Sequence, residues 1–410
     1  MAEREAADAQ RFGQLLRALR KERGLSLSQL AAITYTHRGS IGNIENGKRL
    51  PDRRFAEIAD VELGADGRLI ASWRHATGDR DARRRRSQLL DAALAESRDI
   101  AREAEPVMAD SAGERTQELA VQYLGTPPAK ILETAIRLRR EVNTALKHGQ
   151  LRSRAVTDGI VTVGRLSGIL AYAALDLGYP DAATAHSEAA WRCADLAGDA
   201  ELKAWTRGTQ SLIYRFKGDN QRALDSAVAG QEHTRRGQSL SRLLSAEAQC
   251  RAVDGDSQSA NRLLSRGLAE CEQGSTRDAE AGIFGFPIEK LHYYVGSSLI
   301  WLDGEKDAER AVTGAVTAVQ LWDTAEPHRR SPSDQALSRI YWTTASLQLG
   351  DISGAAEAIR PVLDLPTDLR YSWINRRLHP LLTTLTKPPY ADAPEALELI
   401  GQIRFFLADP

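Results

Sequence analysis

Apolar residues near the start of the chain recur with the period of a helix. Phe12, Leu15, Leu16 and Leu19 form one stripe, and Gly24 ends it, which predicts a first helix. Ser26-Leu27-Ser28-Gln29 then fits a capping box, with Ser26 as N-cap and Gln29 reaching back to it. Leu30, Ala31 and Ile33 carry a short second helix, and Thr34 to His37 make a turn in which either Thr36 or His37 caps a third. That third helix points Ile41 and Ile44 inward and Arg38, Ser40 and Asn43 outward. It ends on Ile44-Glu45-Asn46-Gly47, where Gly47 supplies the positive φ a helix needs just past its end, with Asn46 as the other candidate. Lys48, Arg49 and Pro51 follow, so two cations stand beside the stop. The layout suits a short helix offered to an anionic partner. Two short helices joined by a tight turn inside a small helical cluster are the helix-turn-helix plan.

The pattern then lengthens. After Trp73, "HATGDRDARRRRSQLL" leads into Leu89, Leu90, Ala93, Leu94, Ser97 and Ile100 at helical spacing. Arg83 to Arg86 in that stretch either grip phosphate beside the head or simply begin a solvated helix. From Arg115 onward nothing alternates as a strand would. Gly178, Gly218, Gly255, Gly304 and Gly350 each follow an apolar helix. Ala182, Ala223, Ala260, Ala308 and Ala355 open the helix after each of them. The reading is five helix pairs, preceded by helices around Leu119 to Lys147, that must stack to bury their apolar faces. Aligned on those alanines, the concave wall of the stack would carry Arg207, Gln210 and Tyr214, then His292, then Arg339 and Trp342. Such a wall suits a peptide, another protein's tail or a polar metabolite. The competing reading packs Tyr214 and Trp342 between pairs and ties Arg207 to a neighbouring carboxylate.

Composition changes this picture in one respect. Over the whole chain 54 Lys and Arg balance 55 Asp and Glu. Between Met1 and Leu90, however, 18 cations face 12 anions, so a basic head precedes an acidic body. A polyanion would meet the first ninety residues. Cys193, Cys250 and Cys271 are too few and too scattered for a disulfide framework or a zinc motif, which fits a reducing compartment. The N-terminus is charged rather than an apolar leader, and no stretch approaches the 18 apolar residues of a membrane span. The expectation is a cytoplasmic protein without membrane contact.

Two segments carry a resemblance. "LSLSQLAAITYTHRGSIGNIENGKRLP" resembles the phage-repressor (XRE) type of helix-turn-helix, over about Phe12 to Trp73. The resemblance implies a double-stranded DNA operator. By position, Arg38, Gly39, Ser40 and Asn43 would face bases, while Gln29, Lys48 and Arg49 would face phosphates, with His37 as a cap or a phosphate neighbour. The sequence departs from that pattern at Tyr35, where the turn usually carries Gly, and at His37, where Ser or Thr is common. Gly39 and Gly42 leave the helix sparse in side chains, which implies more reliance on DNA shape. "LIYRFKGDNQRALDSA" and "ASLQLGDISGAAEAI" resemble tetratricopeptide repeats, and Ala190 to Gly218 resembles the body of actinobacterial regulators that join such a head to a repeat sensor.

The expected fold is therefore all-α: a helix-turn-helix domain over 1–78, a basic helical linker over 79–114, and a tetratricopeptide-like solenoid over 115–410. The function it implies is a sequence-specific transcriptional regulator. It would act as a homodimer, and its repeats would sense a peptide, a small molecule or a partner protein, as in the peptide-sensing quorum regulators of Gram-positive bacteria. The alternative is a repeat scaffold whose DNA contact is incidental. No GxSxG, HExxH, P-loop or Rossmann fingerprint is present, and the eight histidines are scattered. No catalytic residue, metal site or cofactor is assigned.

Overall fold

A computed structural model describes residues 2–103, 110–147, 153–273, 281–366 and 369–408. All regular structure among them is helical, so the chain is all-α. Two compact units divide it, Met1–Leu89 and Leu90–Pro410.

The first unit holds α1 (Ala2–Glu22), α2 (Leu27–Ile33), α3 (Arg38–Glu45), α4 (Arg53–Glu62) and the start of α5 (Arg68–Glu103). Phe12, Leu16 and Leu19 from α1 meet Leu30, Ile41, Ile44, Phe55 and Leu69 in one buried cluster. The capping box at α2 forms as its sequence suggests. Ser26 Oγ accepts from the Gln29 amide at 3.2 Å, and Gln29 Oε1 accepts from the Ser26 amide at 2.8 Å. The first turn of α5 is capped from a distance. Buried Asp60 accepts from the amides of Gly67 and Leu69 at 2.8 Å and of Ile70 at 3.3 Å, placing a carboxylate at the positive end of that helix. Helix α5 then runs unbroken through the arginine run. The side chains of Arg83 to Arg85, on which the phosphate-grip reading depends, lie outside the described residues.

In the second unit α6 (Asp110–Gln122) and α7 (Pro128–Lys147) lead into a succession of antiparallel pairs. These are α8 (Ser153–Asp176) with α9 (Pro180–Ala197), α10 (Ala200–Lys217) with α11 (Asn220–Gly230), and α12 (Gly237–Val253) with α13 (Ser257–Gln273). Next come α14 (Ile288–Leu299) with α15 (Glu305–Thr324) and α16 (Pro332–Gln348) with α17 (Ile352–Leu363). Gly178, Gly218, Gly255 and Gly350 turn at φ between +80° and +84°, where a side chain would be strained, whereas Gly304 sits at −79° as the N-cap of α15. The five alanines that open the second helices are all buried. A sixth pair, α18 (Ser372–Leu385) with α19 (Pro394–Ala408), escaped the sequence reading because its turn has no such glycine. The segment Val156–Asp176 is long and apolar enough to cross a membrane, contrary to expectation. Small Ala and Gly residues, not a continuous run of large apolar ones, give it that character, and 72% of its window is buried inside the protein.

The first helices of the pairs are neighbours in order, α8 to α10 to α12 to α14 to α16 to α18, and α18 returns to touch α8. Ser372 Oγ donates to the Leu175 carbonyl at 2.9 Å, and the Phe216 and Trp373 rings meet edge-on at 4.7 Å. These helices thus form a closed ring.

The tail of α5 is held in this unit by a fully buried arginine from α7. Arg139 donates through Nη1 to Ser97 Oγ at 2.8 Å and Ser167 Oγ at 3.3 Å, and through Nη2 to the Ala93 carbonyl at 2.9 Å and Glu96 Oε2 at 3.1 Å. His186 of α9 bonds the same Ser97 hydroxyl. Burial, together with the Arg139 charge, holds the His186 imidazole well below its usual value, so it is neutral there.

Candidate nucleic-acid interface

The "SIGNIENGKRL" stretch closes α3 in a Schellman turn. The Lys48 amide bonds the Asn43 carbonyl at 2.9 Å and the Gly47 amide bonds that of Ile44 at 3.0 Å. Gly47 is required twice over. Its φ is +67°, and a Cβ there would sit 2.7 Å from Gln10 Cα of α1.

Glu45 has a role that sequence spacing did not reveal. It is buried, and Arg20 of α1 grips it bidentately, Nε to Oε1 at 2.5 Å and Nη2 to Oε2 at 2.8 Å. Arg20 Nη1 also donates to the Leu25 carbonyl at 2.7 Å, which ties the end of α1 to the start of the α2–α3 motif. The acid in Ile-Glu-Asn-Gly is therefore a structural anchor for the helix, not a reader. Gly13 completes the fit, since a Cβ there would lie 2.2 Å from the Ile44 carbonyl oxygen.

What α3 leaves outward is short. Arg38, Gly39 and Asn43 are exposed and Ser40 half-buried, while Ile41 and Ile44 are buried. Lys48, Arg49 and Arg54 stand exposed nearby, and among the described residues neither they nor Arg38 enters an ion pair. Arg53 instead pairs with Glu57 at 2.7 Å. His37 occupies the N-cap position of α3 with an exposed side chain that makes no capping bond. Gln29 is exposed, but its carbonyl oxygen is committed to the capping box, so its amide nitrogen is the group left to donate. A Cβ at Gly39 or Gly42 would meet nothing within 4 Å. Packing of the head therefore does not require either glycine.

Tyr35 stands in the turn at φ +53° and is 87% exposed. The left-handed conformation disfavours a side chain, and this ring gains no burial in exchange. Tyr35→Gly is therefore expected to stabilise the head by about 0.5–1 kcal/mol, after allowance for the greater chain entropy of glycine. Urea titration followed by the head's helical signal checks this, and a less stable variant would count against it.

The six positions expected on the body's inner wall separate into two groups. Arg207, Gln210 and Tyr214 do come together, in a cleft of about 340 Å³ between α9, α10 and α11. Arg207 Nη1 donates to Gln210 Oε1 at 3.1 Å, and its guanidinium stacks 4.0 Å over Trp191. This cleft is not the inside of the ring. On α10 the residue that faces the ring's interior is Leu212, on the stripe with Trp205 and Phe216, so the polar stripe turns toward the outer helices. The interior is aromatic instead, which inverts the expectation. His292, half-buried and held below its usual pKa by burial, lines neither space, nor do Arg339 and Trp342.

Among the described residues no group of three or more His, Cys, Asp or Glu is placed to hold a metal ion. Comparison with known proteins adds one positive result: residues 11–73 match the family described as a helix-turn-helix domain. No curated protein matches the chain. The match ends at the residue whose indole Nε1 donates to the Pro51 carbonyl at 2.9 Å, so it spans the cluster that carries α3. Residues 11–73 thus form a helix-turn-helix domain, which marks the chain as a DNA-binding regulator.

Proposed function

We propose that this chain is a sequence-specific transcriptional regulator of the phage-repressor type, working as a homodimer whose tetratricopeptide-like body senses an effector. The observation that carries the reading is the outward side of α3, with Arg38, Ser40 and Asn43 on it and unpaired Lys48 and Arg49 at its end. Arg38 and Asn43 have the donor geometry for guanine and adenine edges in a major groove, and the cations fit phosphates. Gly39 and Gly42 each cost a helix about 1 kcal/mol relative to alanine, and the head's own packing does not call for them. A bare helix face lets the backbone come close to the groove, where sequence-dependent DNA shape contributes to discrimination. One such helix spans few base pairs, so two heads one helical turn apart would supply operator-level specificity.

Arg38→Ala is expected to cost about 1–3 kcal/mol at the preferred site, and Lys48→Ala to weaken all sequences about equally while flattening the salt dependence. Selection from a random DNA pool, followed by titration of the recovered site at several salt concentrations, measures both. Failure of the full chain to enrich any sequence would overturn the regulator in favour of the scaffold reading. Sedimentation of a one-to-one complex of monomer and DNA would overturn the dimer.

A further inference from the structure

The ring of inner helices is filled from within. Helix α6 lies against α8, and the segment 281–287 crosses the interior beside it. Gly282, at φ +67°, passes so close that a Cβ would sit 2.1 Å from the Ala120 carbonyl oxygen. The Ile283 carbonyl is held by Trp205 Nε1 at 3.1 Å, and the Phe286 amide donates to Gln238 Oε1 at 2.8 Å. This segment blocks the course that an extended peptide would follow along the wall. It leaves a narrow cavity beside Arg242 that opens to solvent at its mouth.

The walls are rings. Tyr172, Tyr293, Tyr294, Trp322 and Trp373 line it. Its charges are mostly spoken for. Lys290 pairs with Asp334 at 2.5 Å and Arg329 with Glu289 at 3.2 Å, and the Asp176 carboxyl accepts from Tyr123 at 2.5 Å. Arg242 differs. It is 5% exposed and has no carboxylate partner among the described residues. Its guanidinium donates only to neutral oxygens: the Tyr172 hydroxyl, Ile283 carbonyl (3.4 Å) and Thr209 Oγ1 (3.5 Å). It stacks 4.8 Å over Trp205. A buried cation without a counter-charge, facing an aromatic cavity, is matched by a ligand that brings both an anion and a ring.

We propose that the central cavity of the second unit binds a small aromatic acid, with its anionic group on Arg242 and its ring system between the tyrosine and tryptophan walls. Burial lifts the Asp176 carboxyl to about 7, against the lowering effect of the Tyr123 hydrogen bond, so this second carboxyl opposes an incoming anion less than a fixed charge would. The proposal rests on the sensor reading only for its effect on DNA, and binding is measured separately.

The probes are anilinonaphthalene sulfonate and phenylnaphthylamine, which share one aromatic skeleton and differ in the acid group. Fluorescence titration of the full chain should show the sulfonate bound about tenfold more tightly or better, as expected of a charge-assisted contact in a buried site. Arg242→Met should remove that preference and leave phenylnaphthylamine unchanged. Ser333→Phe, which fills the lining at a half-buried position, should weaken both probes and serves if Arg242→Met does not fold. Equal affinity for the two probes, or sulfonate binding unaltered in Ser333→Phe, overturns the proposal. Sulfonate held through Arg242 with no change in operator affinity would retain the site and overturn the sensor reading instead.

Discussion

Glu45→Ala is expected to destabilise the first unit by about 3–5 kcal/mol. The substitution removes one half of a buried ion pair and leaves Arg20, a residue only 9% exposed, without its carboxylate. A domain of this size has a total stability of only about 5–10 kcal/mol, so the loss is a large fraction of the whole. Mutation of an exposed acid in the same unit, such as Glu62 of α4, would cost almost nothing, which makes the experiment discriminating. In thermal melting of the full chain the head transition should move to much lower temperature, and DNA binding should be lost along with it, while the helical signal of the second unit persists. Replacing both partners, as Arg20→Met with Glu45→Leu, should recover much of the stability, because two apolar groups of similar volume leave no buried charge. A head that melts unchanged in Glu45→Ala would refute this account of the pair.

The second large effect is expected at Arg139. Arg139→Met deletes four donated hydrogen bonds at once among helices α5, α7 and α8 and leaves part of the Glu96 carboxylate without its donor, while Ser97 and Ser167 keep their bonds to the Ala93 and Val163 carbonyls. Loss of a buried charged donor network of this kind costs about 3–5 kcal/mol. Arg140 stands 3.6 Å from Glu96 and softens the loss at that carboxylate, but it reaches neither hydroxyl. The melting transition of the second unit should fall by several degrees, and amides in the tail of α5 should exchange faster with solvent. Protection of those amides at the level of the unaltered chain would show that α5 is held by its apolar contacts alone.

Both anchors were invisible in the sequence for the same reason. Arg20 and Glu45 are 25 positions apart, and Arg139 and Ser97 are 42 apart, so no helical spacing links them. Local rules did find what depends on neighbours: the Ser26–Gln29 box, the Gly47 stop, the inward Ile41 and Ile44, and the glycine turns with their buried alanines. The sixth pair was missed because its turn uses proline and polar residues where the others use glycine. The face of α10 was misjudged because a polar stripe reads as solvent-facing or ligand-facing from spacing alone. Which way the stripe turns is set by the curvature of the whole ring, and that curvature is a property of all six pairs together.

Because α18 returns to α8, the array has a fixed membership. An open stack of helix pairs can gain or lose one and simply change length, since each pair contacts only its neighbours. Here an added pair would draw Trp373 away from Phe216 and Ser372 from the Leu175 carbonyl, opening a seam through the interior. A lost pair would force the remaining helices to bend more sharply to meet. Chains descended from a common ancestor with this one are therefore free to vary in loops and in the outer helices, but their number of pairs is locked by closure, as the number of staves is locked in a barrel.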